Sequence, residues 1–369
     1  MPELRILPVE GIGRVEPGDD LAQLIATAAP WLEDGDVVVV TSKIVSKAEG
    51  RLVEVPVEEG PEREAARLAA ITAETARVVA QRGPTRIVAT HHGFVLAAAG
   101  VDASNVDPGR LVLLPKDPDA SARALRAALR ERTGRDVAVV VSDTMGRPWR
   151  VGLTDVALGV AGLLPVRDHR GDVDPYGNTL QLTEMAVADE LAGAADLVKG
   201  KLTEVPVAVV RGALTAPVGP DGPGAVAMVR ESTLDMFSLG TAEAQAVGMA
   251  DAARLPNYHP FAIGQERGHV TIADTPPSPE HLAQALAAVP ISSTTNLHLV
   301  VTSGLSTVTL RCSAAREPGP LVALGMDVHR LRCALSASGL LSSLISVDFD
   351  DEELPADQES VAIAIARPA

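Results

Sequence analysis

From Leu4 to Arg211, short apolar runs rich in valine alternate with longer stretches in which apolar residues recur at helical spacing. That alternation is the pattern of a mixed α/β fold. The runs predict strands at 4–9, 37–41, 51–55, 86–90, 94–98, 111–114, 137–141 and 205–210. Asp19 and Asp20 stand where a helix cap is wanted, and Leu21, Leu24, Ile25, Ala28 and Leu32 share one face of the helix that follows, with Pro30 as its kink or stop. Helical spacing returns over 62–81, 120–132 and 182–198. The last stretch has the broadest apolar stripe, from Met185 to Val198. Its acids Glu184, Asp189 and Asp196 read as a solvated face, and Lys199-Gly200-Lys201 reads as a glycine stop with cations at the helix end.

The pattern changes after Arg211, where Pro217, Gly219, Pro220, Gly222, Pro223 and Gly224 crowd together and predict a long loop. A second proline patch at Pro276, Pro277 and Pro279 precedes strand-like runs at 297–302 and 306–311, a helix over 328–341 and a last strand at 361–366. No internal repeat is visible. At 369 residues the chain has material for about two domains.

Charge narrows the function. The 32 Lys and Arg against 48 Asp and Glu leave −16, spread along the chain, which argues against nucleic-acid binding and confines any phosphate site to a few local cations, backbone N–H groups or a metal. Aromatics make up 2% of residues, too few for base-stacking platforms. Cys312 and Cys333 cannot form a disulfide framework or a zinc cluster, and no apolar run is long enough to cross a bilayer, so a cytoplasmic protein without membrane contact is expected.

Three segments could carry chemistry. Thr41 to Lys47, after the strand at 37–40, offers hydroxyls and ammonium groups to an oxyanion, although alone it reads more readily as a solvated loop. No G-x-x-x-x-G-K-[ST] loop is present. In Ala99 to Val106, Asp102 offers a hard carboxylate to Mg²⁺ or Mn²⁺ and Asn105 a hydrogen-bonding amide; an Asx-turn explains the segment equally well. Ser142 to Arg150 is the most informative. Asp143 and Thr144 present oxygen ligands at a strand end, and Arg147 and Arg150 present forks for a carboxylate or phosphate. Asp143 as a helix cap is the bland alternative. Asp172 to Asn178 reads as a turn, and His91-His92 lacks the spacing of a zinc site. No G-x-S-x-G elbow supports a serine hydrolase.

In order, LPVEG at 7–11, GDDL at 18–21, DGDVVV at 34–39, SKIVSKAEGR at 42–51, AAGVDASNV at 98–106, DTMGR at 143–147, DPYGN at 174–178 and VADE at 187–190 resemble the coenzyme F420-0:L-glutamate ligase family over about residues 1–245. Order and spacing are most similar to actinobacterial two-domain members, which carry a flavin nitroreductase-like domain after the ligase. The resemblance implies a mixed α+β ligase domain at 1–245 and a smaller, truncated nitroreductase-like part at 246–369, of which 331–347 and 362–368 resemble late portions. It also implies an enzyme that uses GTP and Mg²⁺ or Mn²⁺ to join L-glutamate to F420-0 and to extend a γ-glutamyl tail, as a homodimer, with K⁺ a further candidate cation. By the same resemblance Ile12, Gly13, Arg14, Val15, Ser42, Lys47 and Asn105 contact GTP, Asp102, Asp143 and Thr144 hold the metal, and Asp143 and Lys47 serve catalysis. The family's arginine-rich flavin-phosphate motif is missing between Leu239 and Pro260, which speaks against FMN. The alternatives are a flavin-dependent oxidoreductase, motivated by the tail alone, and a GTP-binding paralogue without turnover.

Overall fold

The structure is a computed structural model that describes residues 3–201, 203–213, 216–231, 234–235, 237–240, 244, 247–248, 273–287, 289–300, 306–345, 355 and 357–368. The chain divides into two units, Met1–Ala242 and Glu243–Ala369. Both are mixtures of helix and sheet, and the first unit has the mixed α/β character expected from its alternating pattern.

Through the first half of the first unit run β1 (Arg5–Pro8), α1 (Leu21–Ala28), β2 (Val37–Thr41), α2 (Ser42–Ala48), β3 (Leu52–Glu54), α3 (Pro61–Ala73), β4 (Thr75–Arg82), β5 (Thr85–Thr90) and β6 (Val95–Ala97). There follow β7 (Arg110–Val112), α4 (Pro118–Thr133), β8 (Ala138–Arg147), β9 (Arg150–Ala161), β10 (Arg167–Asp168), β11 (Glu184–Met185), α5 (Val187–Lys199) and β12 (Val207–Arg211). The central sheet has the order β1-β12-β2-β8-β9. Within it β2 and β8 are parallel, and the other neighbours are antiparallel.

Both faces of this sheet are covered, which is why the valine runs are continuous rather than alternating. Val38, Val40, Val139 and Val141 pack with Leu21 and Ile25 of α1 and Leu125 and Leu129 of α4. Val37, Val39, Ala138 and Val140 point the other way, against Val187, Leu191 and Ala195 of α5. Each valine, leucine or isoleucine side chain so removed from water contributes about 1.5–3 kcal/mol. Helix α4 is well delimited: Asp117 caps its start by accepting from the Ala120 N–H, Pro118 follows, and Gly134 ends it at φ 68°.

The proline and glycine stretch after β12 is tied down. Buried Asp119 accepts hydrogen bonds from the N–H groups of Val160, Ala225 and Val226 at 2.8, 2.7 and 3.2 Å, so one carboxylate joins α4, β9 and the single turn Ala225–Met228. Gly224 must be glycine there, since it sits at φ +87° and a Cβ would lie 2.4 Å from the Asp119 carboxyl.

Several sequence expectations change. The helix expected over 62–81 ends at Ala73, and Thr75–Arg82 turns back as β4 to pair with β5. Two register shifts in that pair break the period-two pattern, which hid the strand. Helix α5 starts at Val187, five residues later than the 182 expected, and Leu182 is exposed. Thr41 to Lys47 is a helix start rather than a loop. Ser142 to Arg147 continues β8 and returns as β9, a strand that Gly152 and Gly159 had disguised.

In the second unit the described elements are α6 (Pro279–Ala287), β13 (Asn296–Val300), β14 (Thr307–Ala315), α7 (Pro318–Ala337), β15 (Leu341–Ile345) and β16 (Gln358–Ala366). Its antiparallel sheet has the order β13-β14-β16-β15. Val308, Leu310, Cys312, Ile363 and Ile365 bury one face of it against Leu324, Val328, Leu331 and Leu335 of α7. That helix begins at 318 rather than the expected 328, because Gly319 and Gly325 mask its first turns. Most of the stretch 239–260, where the flavin-phosphate motif was sought, lies outside the described residues. Among the described residues no helix is long and apolar enough to cross a membrane.

Candidate active site

β2 ends at Thr41 beside Ser142 of the parallel strand β8, and residues from both strands line a cavity of about 930 Å³. Open α/β sheets place ligands at such strand ends. Helix α2 begins at once, so Lys43 and Lys47, one turn apart, share the face toward the loop after β6. Lys43 Nζ donates to Asp102 Oδ2 at 2.7 Å and to the carbonyl of Ser104 at 2.8 Å, and the Ser104 N–H donates to Asp102 Oδ1 at 2.8 Å. Burial works against the Asp102 charge, but Lys43 and Ser104 outweigh it and hold the carboxyl below its ordinary pKa. Lys47 Nζ donates to the carbonyl of Asn105 at 2.7 Å. Burial, helped by the charges of Lys43 and Arg14, lowers its pKa.

Asp143 and Thr144 are consecutive in β8 and leave it on opposite faces, but β8 runs on past Thr41, the last residue of β2 paired with it, and at that open edge both residues line the cavity. Asp143 shares the face of Val141, toward α1 and α4; Thr144 shares that of Val140, toward α5. The Asp143 carboxylate accepts the Thr144 N–H at 2.8 Å. Burial pushes its pKa up to about 6, with Asp155 and Asp102 adding repulsion.

On the α5 face lies a buried polar network in which Asp155 and Lys199 join Ser142 and Thr144, a pairing that the sequence pattern did not single out. Thr144 Oγ1 donates to Asp155 Oδ1 at 2.7 Å, Ser142 Oγ donates to Asp155 Oδ2 at 2.9 Å, and Lys199 Nζ donates to that oxygen at 2.7 Å and to Ser142 Oγ at 2.8 Å. The ion pair is sealed, with side chains 2% and 3% exposed. Burial opposes the Asp155 charge, and Lys199 reverses that effect, so the pKa falls below its usual value. Lys199 is thus an interior cation rather than the surface cation expected at a helix end. Asp189 corrects the solvated face in the same way: half-buried, it accepts the Ala157 N–H at 2.9 Å, and burial raises its pKa. Lys201 Nζ hydrogen-bonds the Thr144 hydroxyl and lines the cavity.

The structure therefore gathers Gly13, Arg14, Val15, Ser42, Lys47, Asp102, Asn105, Asp143 and Thr144 around one cavity. Ile12 is not among the lining residues; its side chain is buried in the core beside α1. Arg147 and Arg150 also do not line it. They pair across the exposed end of the β8–β9 hairpin. Asp155, Lys199 and Lys201 line it instead. An acid inside an apolar strand and a lysine closing an apolar helix were the available signals.

Among the described residues no three His, Cys, Asp or Glu side chains form a ready metal cage. Two carboxylates and a hydroxyl are hard oxygen donors, which fit Mg²⁺ or Mn²⁺ when phosphate oxygens or water complete the shell.

Fold and cavity together define an α/β protein with a charged, oxygen-rich ligand site at its strand ends. The chain belongs to the F420-0:gamma-glutamyl ligase family, whose model matches residues 11–212. It is similar to the coenzyme F420:L-glutamate ligase of Methanothermobacter thermautotrophicus, with 41% identity over 249 residues that cover 63% of this chain and 98% of the relative. The protein of the same name from Methanopyrus kandleri is 44% identical over 250 residues, covering 64% and 98%. That from Haloarcula marismortui is 41% identical over 224 residues, covering 56% and 87%.

Proposed function

We propose that this protein is a GTP-consuming ligase that joins L-glutamate to coenzyme F420-0 and then lengthens the γ-glutamyl tail. Family membership and the names of its relatives support the ligation of glutamate. The observation that carries the nucleotide chemistry is the meeting of Asp102, Asp143 and Thr144 with Lys43 and Lys47 around one cavity, which suits a polyphosphate carrying a divalent cation.

Asp102, Asp143 and Thr144 would hold Mg²⁺ or Mn²⁺, which when bound supplies charge neutralisation at the phosphates. Gly13, Arg14, Val15, Ser42 and Asn105 contact the nucleotide. Lys47, whose ammonium donates to the Asn105 carbonyl, neutralises the γ-phosphoryl group as it moves. A carboxylate oxygen of F420-0 attacks the γ-phosphorus, the bond to the bridging oxygen breaks, and GDP leaves with the electron pair. The glutamate α-amino group attacks the resulting acyl phosphate, inorganic phosphate leaves, and the amine proton passes to solvent. Repetition on the new γ-carboxyl lengthens the tail. In this account the protein is a cytoplasmic homodimer, K⁺ is a candidate additional cation, and the missing flavin-phosphate motif speaks against FMN.

The test is GDP release with each substrate omitted in turn. Release that requires both F420-0 and L-glutamate is expected; equal release without F420-0 would contradict the coupled reaction.

A further inference from the structure

We propose that Asp155, neutralised by Lys199, is a positioning residue that aims the Thr144 hydroxyl oxygen at a divalent cation in the cavity. Thr144 and Asp155 are direct cross-strand partners on β8 and β9. The Thr144 hydroxyl proton is spent on Asp155 Oδ1 at 2.7 Å, and Lys201 takes one of its lone pairs. The remaining lone pair is left for a ligand, as a hydroxyl that binds a hard cation requires.

The Lys199 ammonium has a second effect. Asp155 itself lines the cavity, next to Asp143, and a free carboxylate there would compete for the cation. Oδ2 of Asp155 is held by Lys199 at 2.7 Å and by Ser142 at 2.9 Å, and Oδ1 is held by Thr144. Both oxygens have donors, and the side chain is 3% exposed where that of Asp102 is 46% exposed, so the acid acts on the cation through the threonine. Outer groups that orient ligands in this way alter metal affinity by about 10–100-fold when replaced.

The inference rests on Thr144 as a ligand of the cation proposed above. Its test is Mn²⁺ binding, followed by electron paramagnetic resonance of the free ion, with a non-hydrolysable GTP analogue present. The variants are Thr144→Val, Asp155→Asn and their combination, each checked for thermal unfolding. In Asp155→Asn the amide oxygen keeps Lys199 and Ser142, so the amide nitrogen turns to Thr144, donates to its oxygen and consumes the lone pair. Asp155→Asn is expected to weaken Mn²⁺ binding about tenfold. Adding it to Thr144→Val should cost nothing further. Should Asp155→Asn fail to fold, D155L/K199M carries the same expectation, because an apolar pair of similar volume leaves no buried charge. Wild-type affinity in a folded Asp155 variant, or losses that add to those of Thr144→Val, would overturn the positioning role. Absence of Mn²⁺ binding by the wild-type chain would instead overturn the cation site itself.

Discussion

Thr144 faces Asp155 across the β8–β9 hairpin because the strand register slips by one residue between Val141 and Ser142. Val139 pairs with Ala161, and that register continued unbroken would put Val156 opposite Thr144. The slip puts Asp155 there, on the face where Lys199 ends α5. A β-bulge thus decides whether a valine or a carboxylate stands behind the threonine.

The buried pair should show the asymmetry of such pairs in stability. Lys199→Met strands an interior carboxylate and is expected to cost about 3–5 kcal/mol, while D155L/K199M should recover most of that loss. Urea unfolding of wild type, single and double variants measures both. A Lys199→Met protein as stable as wild type would show that the pair is not sealed.

Gly159 lies in the bulge, where α4 approaches closely. A Cβ on it would sit 2.1 Å from the backbone carbonyl of Pro118, which has no side-chain freedom to yield. Gly159→Ala is expected to lower stability by about 3 kcal/mol, read as a clear drop in melting temperature. An unchanged melting temperature would mean that α4 and β9 are further apart than described.

Asp143→Asn is expected to cut GTP turnover by on the order of 10²-fold or more, because it removes a charged oxygen from the proposed cation site. Stability should stay level or rise, since burial, and after it repulsion from Asp155 and Asp102, works against the native charge. Turnover together with the unfolding midpoint separates these effects. Normal turnover in the folded variant would remove Asp143 from the chemistry.

Much of this arrangement was legible from residue order alone. The valine runs of β2 and β8 betray themselves because both faces are buried, and the loops at their ends carry the acids and lysines that meet in the cavity. The pairing of Asp155 with Lys199 was not legible, because it depends on a one-residue bulge and on the direction in which a helix end points. Arg147 and Arg150 stand close to Asp143 in sequence, while the extended β8–β9 hairpin sets them outside the residues that line the cavity.

In the second unit Cys312 is fully buried, and burial, with Asp327 nearby, pushes its thiol pKa up to about 12. Cys333 is partly exposed. A thiol reagent at pH 8 should therefore modify Cys333 in the native protein and reach Cys312 only as the unit unfolds. Simultaneous labelling of both in native conditions would show that the sheet face bearing Cys312 is open.

The most direct test of the central claim is the product mass after incubation of the purified protein with F420-0, L-glutamate, GTP and Mn²⁺. Species heavier by successive glutamyl units, formed only when GTP is supplied, are the expected result. No mass gain with a precursor that a known ligase does extend would contradict the account.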